Sequence, residues 1–346
     1  MTLSTKTFTG YGALLDGMIE QGWSDGLPVV PATPRKVEEF LDVVGMKGEE
    51  IVGEIPSRDI TVRAEHVAAA AVMAGCLPEY MPVVLAATRG HLSPLGNAHC
   101  VLATLTGALQ TVILNGPVRT QLGVLCGEGA FGPGSRANAT IGRAVRLVAR
   151  NACQSVPGDG DRAAFSHPGR YSFCFGEDEE GTPWTPMHVE RGFAAGDSVA
   201  TQHSMTDYFS LCDGDSRGPQ ELLTRFAHLA RCRPVSRDAF LGRDRTVVLV
   251  FGPEHRRILG GAGWSKADIR AFLHPLLTAP HTRTEGQQET QGMAPLGGPT
   301  ESSHYLPDPE GILIVAAGGA GLNLSWVLYP HLASAVSTRI DHDYAG

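Results

Sequence analysis

The densest group of reactive side chains lies between residues 174 and 193. It contains a thiol, four consecutive acids, an indole, an imidazole and an ion-pair candidate, namely Cys174, 177–180, Trp184, His188 and Glu190-Arg191. If residues 187–191 are extended, His188 and Glu190 lie on one face, and an imidazole beside a carboxylate can transfer protons. We expect both to be catalytic. The alternative is that the acids form a solvated turn and that His188 or Glu190 satisfies a buried neighbour.

A glycine-rich segment, 127–140, leads into a predicted helix over 137–149. Backbone amides at the positive end of a helix bind anions, and an arginine beside them adds a bidentate donor. The expected substrate ligands are Gly132, Gly134, Ser135, Arg136 and Asn138. The segment is neither a dinucleotide-binding nor a Walker loop, so no nucleotide cofactor is expected. A loop selected only for close packing is the alternative.

A second glycine loop, 318–321, follows a predicted buried strand. Ligands of open α/β sheets bind at the carboxyl ends of strands, so Gly318, Gly319 and Asn323 are further expected substrate ligands, with a ligand-free turn as the alternative. Cys126 precedes the first loop and would be a nucleophile if the helix end and Arg136 lowered its thiol pKa. The alternative is a buried, inert cysteine. No close histidine or cysteine pairs occur, so no metal is expected.

The elements that must position these residues repeat along the chain. Strand, Gly-Pro turn, glycine loop and helix occur at 111–149 and again at 246–274, where Ser265 and Asp268 form a capping box. A third unit places a strand at 312–317 and a helix from Leu322. The pattern predicts an α/β fold with mixed or parallel sheets flanked by helices. It also predicts two pseudo-duplicated halves, in which each glycine loop leads into a helix and forms an anion site.

The predicted organisation has three parts. Residues 1–154 form a first α/β half with the loop 127–140. Residues 155–205 form an insertion that carries the titratable groups, and residues 206–346 form a second α/β half with glycine loops at 260–263 and 318–321. A polar stretch at 281–303 is a candidate lid.

Composition limits the classes of partner. Twenty-eight basic against 36 acidic residues give a net charge of −8, which argues against nucleic acid. The seven scattered cysteines and the absence of a signal peptide favour the cytoplasm. Residues 311–337 carry no charge, but their glycines and Pro330 favour a buried strand and turn over a membrane span. We expect no membrane partner, and a homo-oligomer.

Six strings of the sequence carry a family resemblance: 22–31, 71–80, 115–117, 131–143, 167–174 and 188–193. They resemble a largely uncharacterised bacterial family of about 350 residues that is linked with small, thioredoxin-like proteins of the UGSC type. The resemblance covers most of the chain and implies homology without an established reaction. Relatives tend to carry lysine at the position of His66, and Lys-His at the position of Leu322-Asn323. These differences imply a different reaction on the same scaffold, or a role in specialised biosynthesis.

Together these features predict a small-molecule enzyme that uses no nucleotide cofactor. The expected reaction is a lyase-type elimination or bond cleavage on a substrate that bears a carboxylate or carbonyl. One alternative is a subunit of a thiol-dependent reductase or C–S processing system that works with a thioredoxin-like partner through Cys126 or Cys174. Another is a non-catalytic ligand-binding subunit.

Overall fold

The computed structural model describes residues 5–231, 246–278 and 308–342. Their helices are α1 (Tyr11–Glu20), α2 (Pro34–Val44), α3 (Ala64–Ala74), α4 (Met81–Leu92), α5 (Ala98–Leu102), α6 (Val118–Gln121), α7 (Arg136–Leu147), α8 (Met187–Glu190), α9 (Pro219–Arg231), α10 (Pro253–Gly261) and α11 (Lys266–Thr278). Their strands are β1 (Ile51–Ile55), β2 (Ile60–Arg63), β3 (Leu109–Asn115), β4 (Cys174–Gly176), β5 (Val199–Cys212), β6 (Val247–Phe251), β7 (Ile312–Ala316), β8 (Leu324–Pro330) and β9 (Val336–Arg339).

The main sheet is mixed, as predicted, and it is curled. Among the described residues its strand order is β4-β3-β5-β8-β6-β7, and β9 pairs with the first part of β5. The pairs β3–β4 and β6–β7 are parallel, and the other neighbours are antiparallel. Strands β1 and β2 form a separate antiparallel ribbon. The predicted α/β class with flanking helices is confirmed.

The strand order has an internal regularity. In chain order, β3 is parallel to β4 and antiparallel to β5, while β6 is parallel to β7 and antiparallel to β8. The two sets meet where β5 pairs with β8. A common origin of the two sets stays a prediction. Because β5 runs across residue 205, one sheet joins the predicted insertion to the second half.

The curled sheet separates three apolar clusters. The inner face buries side chains from all six strands in this order, including Ile113, Phe175, Val250 and Val315. On the outer face, one cluster lies under α2, α3, α4 and α7, and another lies under α9, α10 and α11. Alternate residues of a strand point to opposite faces, so residues that continue the inner series reach the inside of the curl.

Local predictions mostly agree with the observed elements. Thr33 caps α2 with Pro34 in the first turn, and the capping box of Ser265 and Asp268 begins α11. The helix predicted from Leu322 is wrong, because β8 begins at Leu324 and is bonded to β5 and β6. A strand covered by two neighbours and by core needs no charged side chains, which explains the charge-free run.

Two predicted segments remain, the polar lid and the charge-free run as a possible membrane span. The candidate lid at 281–303 lies outside the described residues. In the part of the chain that the structure describes, no helix combines the length and the apolar character that crossing a bilayer requires.

Asn138 fastens the first glycine loop to the sheet. Its Oδ1 accepts from Leu125 N at 2.9 Å, and its Nδ2 lies 3.0–3.2 Å from the carbonyl oxygens of Leu125, Ala130 and Cys174. The side chain is buried, and Ser135 Oγ caps the helix by accepting from Asn138 N. The amide of Asn138 is fully engaged with backbone.

We expect Asn138→Ala to destabilise the fold by about 3 kcal/mol, because several buried backbone groups lose their partner at once. Urea unfolding measures this change. Asn151→Ala removes one bond, to Trp23 O, and should cost about 1 kcal/mol. Equal losses in the two variants would contradict the role of Asn138 as the fastening residue.

Candidate functional site

The two glycine loops and the acid-rich segment lie against one another. Three backbone hydrogen bonds join them: Gly176 N to Leu125 O at 3.1 Å, Asp178 N to Ala316 O at 2.8 Å, and Gly318 N to Cys126 O at 2.8 Å. The carboxyl ends of β4 and β7 therefore meet, although these strands lie at opposite edges of the sheet. Curling of the sheet produces this contact and brings together segments that are distant in sequence.

Glu177 is the most deeply buried carboxylate at this junction. It continues the inner series of Phe175 and is 0% exposed. Its Oε2 accepts from Asn115 Nδ2 at 2.6 Å and from Met187 N at 2.8 Å. Burial raises the pKa of Glu177, partly offset by the nearby charge of Lys266.

Glu179 shares the Asn115 amide. Its Oε1 accepts from Asn115 Nδ2 at 2.9 Å and from Gly116 N at 2.7 Å. Arg119 Nη2 lies 3.2 Å from Glu179 Oε2 and also donates to Glu180. Two carboxylates and one guanidinium are thus held by the end of β3 and the short helix α6.

His188 points into the same place. The expected extended conformation at residues 187–191 is wrong, because Met187–Glu190 is a short helix after Pro186. Residues two apart in a helix point about 200° away from each other, so His188 and Glu190 diverge. His188 is 0% exposed, and its Nδ1 lies 3.8 Å from Glu179 Oε1.

Glu190 instead fastens α8 to α11. Its carboxylate accepts from Lys266 Nζ at 2.8 Å and from Arg270 Nη1 at 3.0 Å. Lys266 Nζ also lies 3.8 Å from Glu177 Oε1, and its side chain is buried. The predicted proton-transfer pair of His188 and Glu190 is therefore not assembled, and Glu179 is the carboxylate beside His188.

We call Asn115, Arg119, Glu177, Glu179 and His188 the interior carboxylate cluster. Within the described residues, five of its buried polar atoms have no hydrogen-bond partner: Asn115 Oδ1, Arg119 Nε, Glu177 Oε1, and His188 Nδ1 and Nε2. Buried polar atoms are nearly always paired, so such a concentration marks a place where a ligand or ordered water completes the bonding.

Another buried histidine shows the contrast. His255 Nδ1 lies 2.7 Å from Ser325 Oγ, and His255 Nε2 lies 3.0 Å from Asp213 O. Ser325 Oγ accepts from Gly252 N, so every member of this set is paired. Burial lowers the pKa of His255 and keeps the ring neutral. The His255 set therefore has a structural role, whereas among the described residues both ring nitrogens of His188 lack a hydrogen-bond partner.

The predicted anion ligands of the first loop lie elsewhere. Arg136 is exposed, and its Nε donates to Gly75 O at the end of α3. Arg136 contacts Gly75, whereas His188 lies beside Glu179, so in the described residues no common neighbour links the two side chains. Gly132 N donates to Gly129 O, and Ser135 Oγ donates to Gly123 O. Gly134 is exposed with a φ of 130°.

The predicted ligands of the last loop are also engaged internally. Gly318 N donates to Cys126 O, as described above, and a Cβ at Gly319 would clash with the side chain of Glu128. Asn323 O accepts from Asp213 N, which places Asn323 beside the structural His255 set. Binding of a substrate by these residues stays a prediction.

Cys126 lies at the outer margin of the interior carboxylate cluster, half-buried beside Arg119. The expected lowering of its pKa is wrong. Burial and the negative charge of Asp178 raise the pKa of its thiol, and the opposing effect of Arg119 is smaller. The thiol is therefore mostly protonated at neutral pH.

Three members of this region were missed by sequence reasoning. Asn115 and Arg119 flank the Gly-Pro turn, which was recognised as part of a repeat and of the family resemblance but not as part of a site, and Lys266 was recognised only as the start of a helix. One usable signal is that Lys266 is one of four lysines in the chain. Among the described residues, no group of three or more His, Cys, Asp or Glu side chains is arranged to hold a metal.

No protein-family model, curated protein or solved structure matches this chain. The geometry of the interior carboxylate cluster is therefore the guide to function.

The raised pKa of Glu177 predicts a pH-dependent stability. Above its ordinary value of 4.5, the unfolded chain loses this proton before the folded protein does. The stabilising contribution of Glu177 is complete below that value and is lost as the pH rises through the raised pKa. In Glu177→Gln the group stays neutral. We expect urea unfolding to show the variant gaining stability relative to the wild type as the pH rises from 4.5 through the raised pKa.

Glu180→Gln is the matched control. Arg119 lowers the pKa of Glu180, so this carboxylate stabilises the fold above its ordinary pKa of 4.5 and loses that effect in acid. The wild type should then gain stability relative to Glu180→Gln as the pH rises, by a smaller amount because the side chain is exposed. Slopes of the same sign in both variants would refute the burial effect at Glu177.

Proposed function

We propose that this protein is an enzyme that transfers a proton to or from a small-molecule substrate at the interior carboxylate cluster. One observation carries the proposal: His188 is fully buried beside Glu179, with both ring nitrogens unpartnered among the described residues. His255, by contrast, is paired at both ring nitrogens. His91 is also buried with unpartnered ring nitrogens, but among the described residues it forms no ion pair with a carboxylate, so the nearby Glu179 is what distinguishes His188. An imidazole with open bonding capacity beside a carboxylate suits general acid–base catalysis.

The residues support a lyase-type elimination. His188 accepts a proton from a carbon next to the substrate's carbonyl or carboxylate, and Glu179 stabilises the imidazolium that forms. The bond to the leaving group breaks, and Glu177 supplies the leaving group with a proton, since burial favours its protonated form. Arg119 Nε is an unpartnered donor within the described residues, and it can bind the substrate's carbonyl or carboxylate oxygen.

Asn115 and Lys266 position these groups. The Asn115 amide donates to both carboxylates, and so sets their separation. Lys266 and Arg270 hold Glu190, and thereby fix the orientation of α8 and of His188. In this proposal Glu190 is a positioning residue.

Access to His188 requires local opening. Its side chain is 1% exposed, and the segment 181–186 leads directly into the short helix that carries it. The segment is anchored at Trp184, whose Nε1 donates to Trp264 O at 2.8 Å and whose ring packs edge-on against Phe251. The other residues of 181–186 are exposed or half-buried, so an opening of this segment has to release Trp184.

The thiol-based alternative has less support. Burial raises the pKa of both Cys126 and Cys174, which reduces the fraction of reactive thiolate. A cytoplasmic location, a homo-oligomeric state and a role in specialised biosynthesis belong to the same proposal and rest on sequence reasoning.

Solvent deuterium tests the proposal and does not require an identified substrate. Purified protein is incubated in D2O with a small-molecule extract, and mass spectrometry follows which metabolite disappears and whether its remaining pool exchanges a carbon-bound hydrogen for deuterium. We expect His188→Gln to slow this conversion by about 100-fold or more, because a positioned acid–base group contributes at least that factor.

His228→Gln is the matched control, since His228 is an exposed residue of α9, and its conversion rate should equal that of the wild type. Wild-type rates in His188→Gln would sink the proposal. Tight binding of a metabolite without turnover, and with no change in His188→Gln, would instead establish a non-catalytic ligand-binding protein.

A further inference from the structure

A second buried polar region lies at the carboxyl end of α7, under the helical layer of the outer face. Arg146, Arg170 and Asp161 are all buried there. Asp161 Oδ2 accepts from Arg170 Nη2 at 2.5 Å and lies 3.4 Å from Arg146 Nη2. Asp161 Oδ1 accepts from Ala163 N. One carboxylate thus serves two guanidiniums.

Arg58 brings a third guanidinium to this region. Its Nη2 lies 3.5 Å from Gly160 O, next to Asp161 in the chain. Burial raises the pKa of the Cys153 thiol to about 12, and the positive charges of Arg58 and Arg146 partly offset this increase. The three guanidinium groups therefore converge on Gly160 and Asp161.

The hydrogen bonds of these arginines are incomplete. Every bond of Arg146, to Ser155 and Asp161, is between 3.3 and 3.5 Å long. Arg58 Nη1 and Arg170 Nε are buried without any partner in the described part of the chain. Guanidinium groups normally make short bonds to carboxylates or phosphates when they are buried. These donors can therefore form hydrogen bonds to a further acceptor.

Charge balance points the same way. Burial and Arg170 lower the pKa of Arg146 to about 9, which leaves it charged at neutral pH. The nearby Arg150 is also cationic but interacts with the charge of Asp25, and burial lowers the pKa of His91 to about 4, so this ring is neutral. Within the described residues, Asp161 is the single anion that bonds to these groups, and buried charge without a counter-charge is strongly unfavourable.

We propose that Arg58, Arg146 and Arg170 form a binding site for a tetrahedral oxyanion, of the phosphate or sulfate class. The anion would accept from Arg58 Nη1 and Arg170 Nε and would supply the missing negative charge. The site is separate from the interior carboxylate cluster and does not depend on the proposed function.

Isothermal titration calorimetry with inorganic phosphate, and separately with sulfate, tests this site in a chloride buffer of constant ionic strength. We expect one anion to bind per chain and Arg58→Gln to weaken binding by about tenfold or more, since it removes a charge-assisted bond. Arg58 is half-buried with one long bond, so this variant should fold. Arg35→Gln, at an exposed arginine, should bind as the wild type does.

The protein as purified can already hold the anion. Ion chromatography of the fraction released by acid measures this bound phosphate or sulfate, which we then expect at one per chain in the wild type and in reduced amount in Arg58→Gln. Absence of both titratable and released anion in the wild type would overturn the proposal. Equal binding by Arg58→Gln and the wild type would overturn it as well.

Discussion

The amide of Asn115 holds two carboxylates together in the interior, and much of the surrounding structure serves this arrangement. Like charges repel strongly where water is excluded, so burial and the nearby Glu179 favour the protonated form of Glu177, and the pair relies on a shared donor and nearby cations. Asn115 is the donor, while Arg119 and Lys266 supply positive charge. Each comes from a different element, and the curl of the sheet is what brings these elements to one point.

Much of the fold was predictable from sequence. The repeated pattern of strand, glycine loop and helix located α7 and α11, and the buried runs located β3, β6 and β7. The order of the strands and the curl were not predictable, because they depend on pairings between residues far apart in the chain. The strand β8 was mistaken for a helix because an apolar run covered on all sides carries little periodicity.

The candidate site was predictable in part. The dense set of titratable groups drew attention to His188, which the structure places in the interior carboxylate cluster. The partner was misassigned, because a four-residue helix replaces the extended segment and turns Glu190 towards Lys266. Arg136 and Asn138 follow the pattern of anion ligands in sequence, yet packing uses them to fasten the loop. Composition shows which groups are present, and only tertiary structure shows which atoms remain unpaired.

The clamp on Glu190 has a consequence for how the protein could be divided. Glu190 belongs to the segment between β4 and β5, whereas Lys266 and Arg270 belong to α11. Neither set of strands, expressed alone, would hold α8 in place or supply the cation beside Glu177. Two separately produced fragments would therefore have to reassociate through β5 and β8 before a complete site could exist.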